Sequence, residues 1–86
     1  MNKKITSIDE LKKLAIDEQG SLECFILLNG GVISRKLIDY DEDKKTFWIL
    51  NMVDDTKQRL TEEELNDEKR TNIGKAIKLG SFYLEN

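Results

Sequence analysis

Asp39, Asp41 and Asp43 stand at alternate positions, the spacing at which an EF-hand loop begins to ligate calcium. The match then fails, because Lys44 stands where that loop needs glycine for its sharp turn and Leu50 where it needs a bidentate glutamate. A solvated turn is the better reading. The chain has no histidine, which removes the commonest general base and every Ser-His or Cys-His arrangement. Its one cysteine, Cys24, makes neither an internal disulfide nor a structural zinc site, and lies in an apolar run that suits a small buried residue. The carboxylates fall in turns and helix first turns, where capping and solubility explain them. Asn29-Gly30-Gly31 joins strand to strand and lacks the helix N-terminus that a phosphate loop needs. The sequence therefore predicts a non-catalytic protein without metal or cofactor.

A second constellation is made of cations and one large aromatic ring: Arg35, Trp48, Lys57 and Arg59. On one sheet face these could stack bases and neutralise phosphates of a single-stranded nucleic acid. The formal net charge of −3 argues against general nucleic-acid binding. Trp48, Leu50 and Met52 among basic residues equally describe a surface for a protein partner, a second copy of the chain included.

Both readings require strands, and residues 22–60 supply them. Residues 22–28 form a dense strand-forming run, and Asn29-Gly30-Gly31 offers the positive φ of a tight hairpin. Residues 32–40 return, 41–44 reverse the chain with no apolar residue, and 46–53 make a third strand rich in aromatic and β-branched types. Asp54-Asp55 turns the chain again, and residues 57–60 are short and charged, as suits an edge strand.

Side chains alternate between the faces of a strand, so loop lengths sort them. A two-residue Asn-Gly loop and a four-residue second turn put Phe25, Leu27, Val32, Ser34, Ile38, Phe47, Ile49, Asn51 and Val53 together, with Glu23 and Lys36 as a cross-strand pair. The other face then holds Leu22, Cys24, Ile26, Leu28, Ile33, Arg35, Leu37, Trp48, Leu50 and Met52. A three-residue loop at Asn29 would shift the parity of the first strand. Both faces are too apolar to stand bare, and a few short helices cover one of them. The helices are expected on the face of Phe25, Phe47 and Ile49, leaving Arg35, Trp48, Leu50, Met52 and Arg59 as the candidate partner-binding residues, unless the last helix or the terminal strand folds over them.

The helices flank the meander. Ser7 and Glu10 form a capping-box pattern before a helix over 8–18, whose Ile8, Leu11, Leu14 and Ala15 share one stripe and which Gly20 ends. Thr61 and Glu64 repeat the pattern, and Thr71 caps a second short helix holding Ile73, Ala76 and Ile77 and stopped by Gly80. Gly74 inside that helix costs roughly 1 kcal/mol relative to alanine, which close packing would explain. Residues 81–84 read as a brief terminal strand.

At 86 residues the chain reads as a single small α+β domain over 1–86: an N-terminal helix, an antiparallel meander of about four strands, one or two short C-terminal helices and the terminal strand. Hydrophobic residues at 38% balance charged ones at 36%, and their clustering in runs separates the chain from disordered ones. No apolar segment follows the early lysines and none approaches bilayer length, so a cytoplasmic location is expected, with no membrane partner.

The run Phe25-Ile26-Leu27-Leu28-Asn29-Gly30-Gly31, with Ile38-Asp39-Tyr40, Phe47-Trp48-Ile49-Leu50-Asn51, Asp54-Asp55-Thr56, Leu60-Thr61-Glu62-Glu63-Glu64-Leu65 and Ile73-Gly74-Lys75-Ala76-Ile77, resembles a group of short uncharacterised bacterial proteins. The resemblance implies a small α+β domain and no site residues.

Overall fold

The alternating runs of the sequence become the middle of one antiparallel sheet in the structure, a computed structural model that describes residues 3–19 and 22–85. Six strands, β1 (Lys3–Lys4), β2 (Leu22–Leu27), β3 (Ile33–Asp41), β4 (Thr46–Asn51), β5 (Thr56–Thr61) and β6 (Phe82–Leu84), lie in the order β1-β6-β2-β3-β4-β5. The meander β2 to β5 and the terminal strand follow the sequence reading. The extra strand, β1, is two lysines with no strand signature of their own; pairing of Lys3 with Leu84 and Lys4 with Tyr83 defines it. The next residue, Ile5, donates its amide to the Phe82 carbonyl at 2.9 Å and is fully buried, which anchors that edge.

Helices α1 (Ile8–Asp17), α2 (Glu62–Asn66) and α3 (Asn72–Leu79) start at the expected caps. The hydroxyls of Ser7, Thr61 and Thr71 accept from the amides of Glu10, Glu64 and Gly74, satisfying donors that a helix start leaves free. α1 ends where the Glu18 amide donates to the Leu14 carbonyl; Gly20, the expected stop, lies outside the described residues. Gly80 ends α3 in the left-handed conformation, φ 73°. A Cβ at Gly74 would stand 2.6 Å from the Leu65 carbonyl oxygen, so this glycine lets α3 meet the end of α2. Among the described residues no helix is long and apolar enough to cross a membrane.

The register corrects the sorting of β2. Asn29–Gly31 form a three-residue connection between β2 and β3, with Gly30 and Gly31 both near φ 80°, and the Leu28 amide donates to the Val32 carbonyl at 2.7 Å. Two consecutive glycines at positive φ admit a three-residue connection in place of the two-residue one expected. One extra residue exchanges the faces of β2. Leu22, Cys24 and Ile26 therefore share a face with Ile38, Tyr40, Phe47 and Ile49, and Phe25 and Leu27 go to the opposite one. The expected pair of Glu23 with Lys36 is lost, because Glu23 lies across from Leu37 and Lys36 across from Cys24.

The helices cover the Phe47 and Ile49 face, as expected, but without Phe25. Leu11 and Ala15 of α1, Leu65 of α2 and Ile73, Ala76 and Ile77 of α3 close over Leu22, Cys24, Ile26, Ile38, Tyr40, Phe47, Ile49 and Phe82 in one core. Each large side chain buried there contributes roughly 1.5–3 kcal/mol.

Candidate interaction face

Among the described residues no helix lies on the other face of the sheet. Three cross-strand rows of side chains make it. The first runs Lys4, Tyr83, Phe25, Arg35 from β1 to β3; the second runs Glu85, Glu23, Leu37, Leu50, Lys57 across to β5; the third runs Asp39, Trp48, Arg59 from β3 to β5.

Four of the five candidate residues meet there: Arg35, Trp48, Leu50 and Arg59. Lys57 joins them, because the β4–β5 turn spans four residues rather than two and an even count keeps the parity. Met52 does not sit in the strand. It follows the last residue of β4, stands exposed at the start of the turn, and is tied to β3 through its amide, which donates to the Arg35 carbonyl at 3.1 Å.

The face is organised by contacts among its own side chains. Arg35 Nε donates to Glu85 Oε1 at 2.9 Å, and the Arg59 guanidinium lies over the Trp48 ring, 4.3 Å from its centroid. Tyr83 stacks on Phe25 with centroids 5.2 Å apart and planes 18° apart, which leaves Phe25 only 5% exposed although no helix covers it. Between β3 and β5 a shallow hollow of about 350 Å³ is lined by Leu37, Asp39, Trp48, Leu50 and Lys57. Phe25 and Tyr83 escaped the sequence reading. The pair Gly30-Gly31 was the available signal, since two glycines permit the longer hairpin that carries Phe25 to this side.

The residues that suggested other chemistry have local work. Asp41 Oδ1 accepts from the amides of Asp43 and Lys44 at 3.0 and 3.2 Å and shapes the β3–β4 turn. Asp39 Oδ1 accepts from the Tyr40 amide at 2.8 Å, a contact within its own strand. Cys24 lies in the core, where burial, helped by the charge of Glu85, pushes its thiol up to about 12. A thiol so far from ionisation is no nucleophile at neutral pH.

No family model, curated protein or solved structure matches the chain.

Proposed function

We propose that this chain is a small, non-catalytic interaction module whose open sheet face docks on the same face of a second copy. The second row supports this most directly. It is acidic at one end, with Glu85 and Glu23, apolar in the middle, with Leu37 and Leu50, and basic at the other, with Lys57. A two-fold axis along β3, the central strand of the row, lays Leu37 on its own copy and brings each Lys57 to the acidic end of the other protomer. Such a row matches itself at its ends, Lys57 on Glu85, and at its centre, Leu37 on Leu37, while Glu23 meets Leu50; the aromatic and aliphatic groups around it supply apolar surface to bury.

Nucleic-acid binding through Arg35, Trp48, Lys57 and Arg59 has less support. Arg35 is already paired with Glu85 and the Arg59 guanidinium lies over the Trp48 ring, so a nucleic acid would have to displace both contacts. The resemblance to a bacterial group fits either reading.

Sedimentation equilibrium over a wide concentration range tests the proposal. A dimer is expected, weakened at least tenfold by Leu37→Lys, which places two like charges at the axis, and by Lys57→Glu. A monomer at all concentrations would overturn self-association. Monomers that instead bind an oligonucleotide with steep salt dependence would transfer the face to the nucleic-acid reading.

A further inference from the structure

The covered face is not apolar throughout. At the end near the β2–β3 and β4–β5 turns it carries Ser34 and Lys36 of β3, Asn51 of β4, and Thr56 and Gln58 of β5. Lys36, Asn51 and Thr56 form one cross-strand row. Beside them lie Arg70, the cap residue Thr71 and the first residues of α3, and together they line a half-open cavity of about 200 Å³ in which Thr56, Gln58, Arg70 and Asn72 are exposed and Lys36 and Ile73 buried.

Lys36 lines this cavity and is only 7% exposed. Its Nζ donates to Ser34 Oγ at 3.0 Å, and among the described residues no ion pair within 4 Å includes it. A partly desolvated ammonium with a single neutral acceptor has two donors and a whole charge still to satisfy. Burial holds its pKa below the ordinary lysine value, and the charge of Asp54 pulls it partly back. Asp54 is itself engaged, accepting from the Thr56 amide at 3.0 Å and the Thr56 hydroxyl at 2.7 Å.

The rest of the lining splits into groups already used and groups still open. Thr71 Oγ1 donates to the Leu65 carbonyl and accepts from the Gly74 amide, and Arg70 Nη1 bonds Glu64 Oε2 at 2.9 Å. Asn51 Oδ1 accepts from the Val53 amide, which leaves its NH₂ to donate. The amides of Asn72 and Ile73, first and second in α3, have no acceptor within the helix and form its positive end.

We propose that this cavity binds a small oxyanion, a carboxylate or phosphate group, with Lys36 as its counter-charge and donors from Asn51, Gln58 and the first turn of α3. A cavity of this size has room for a phosphate or a short carboxylic acid. The competing account is a lysine whose stem merely covers apolar surface while its head seeks water.

Amide NMR of the full chain, titrated at constant ionic strength with inorganic phosphate, with acetate and with chloride alone, decides between them. Saturable shifts of the Asn51 and Gln58 side-chain amides and of the Asn72 and Ile73 backbone amides are expected with phosphate, acetate or both, and the active anion identifies the ligand class. At ten times the dissociation constant, that anion raises the melting temperature by about 5–10 °C. Lys36→Met, which keeps the stem, abolishes both responses. If that variant does not fold, Gln58→Leu is expected to weaken binding at least threefold. No saturable response to either anion, equal shifts with chloride, or an undiminished response in the folded Lys36→Met or Gln58→Leu variant would overturn the site.

Discussion

Phe47 and Trp48 are neighbours in β4 and point to opposite faces of the same sheet, yet they are kept from water by different means. Phe47 is fully buried under the helices and meets Tyr40 edge-on, with centroids 4.9 Å apart. Trp48 stays half-buried, sheltered by the stacked side chain of Arg59. The first arrangement depends on distant parts of the chain coming together. The second is local to the sheet and can be exchanged for a partner without unfolding anything. An interface that forms and dissolves needs that property.

The contrast is broken most directly by truncating each ring in turn. Phe47→Ala leaves a cavity in the core and is expected to cost about 3–5 kcal/mol, a large share of the roughly 4–13 kcal/mol that holds a domain of this size together. Trp48→Ala is expected to cost about 1 kcal/mol in the monomer, because its site collapses into solvent. Urea denaturation of both variants measures the difference. Equal losses would mean that the open face is as much a part of the folding core as the covered one.

Within the covered side, Gly74→Ala probes how tightly the helical layer is built. Alanine gains about 1 kcal/mol of helix propensity at that position. The added methyl, however, meets the backbone oxygen of Leu65, which cannot rotate away as a side chain would. Overpacking of this kind typically costs about 1–3 kcal/mol, so the variant is expected to be less stable than the parent by about 1 kcal/mol despite its better helix former. A gain in melting temperature would show that α2 and α3 can slide apart.

Much of this arrangement was legible in the residues themselves. The caps at Ser7, Thr61 and Thr71, the stop at Gly80 and the four-residue turn after β3 are local chemistry, and local chemistry is written in short stretches of sequence; the close packing at Gly74 and the burial of Cys24 were signalled only by residue type. The faces of β3, β4 and β5 followed from those turns. The assignment of β2 failed because Asn-Gly-Gly serves two hairpin lengths, and the choice rests on how Leu22, Cys24 and Ile26 pack under the helices. β1 was invisible for the same reason: its pairing comes from residues some eighty positions away. The consequence reaches furthest at Lys36, which loses its expected carboxylate partner through that one-residue shift.

Acidification gives the smallest of these effects and shows how the helical layer is tied down. The Glu10 carboxyl is held below the ordinary glutamate value by the Thr6 amide, with Lys3 nearby, and Glu64 is lowered by the Thr61 amide and hydroxyl, with Arg70 nearby. Asp54 is lowered in the same direction by the hydroxyl and amide of Thr56. A carboxyl whose folded value lies below its unfolded one contributes stability above the unfolded value and loses it as the pH falls through the folded one. The melting temperature is therefore expected to fall below the ordinary carboxylate range, and Glu10→Gln with Glu64→Gln should flatten that decline while lowering the plateau at neutral pH. Because both glutamates sit at helix starts on the covered side, the double variant should leave the dimerisation constant unchanged at neutral pH. A parallel weakening of the dimer would mean that the two faces are coupled through the sheet, and that the helical layer helps set the shape of the open one.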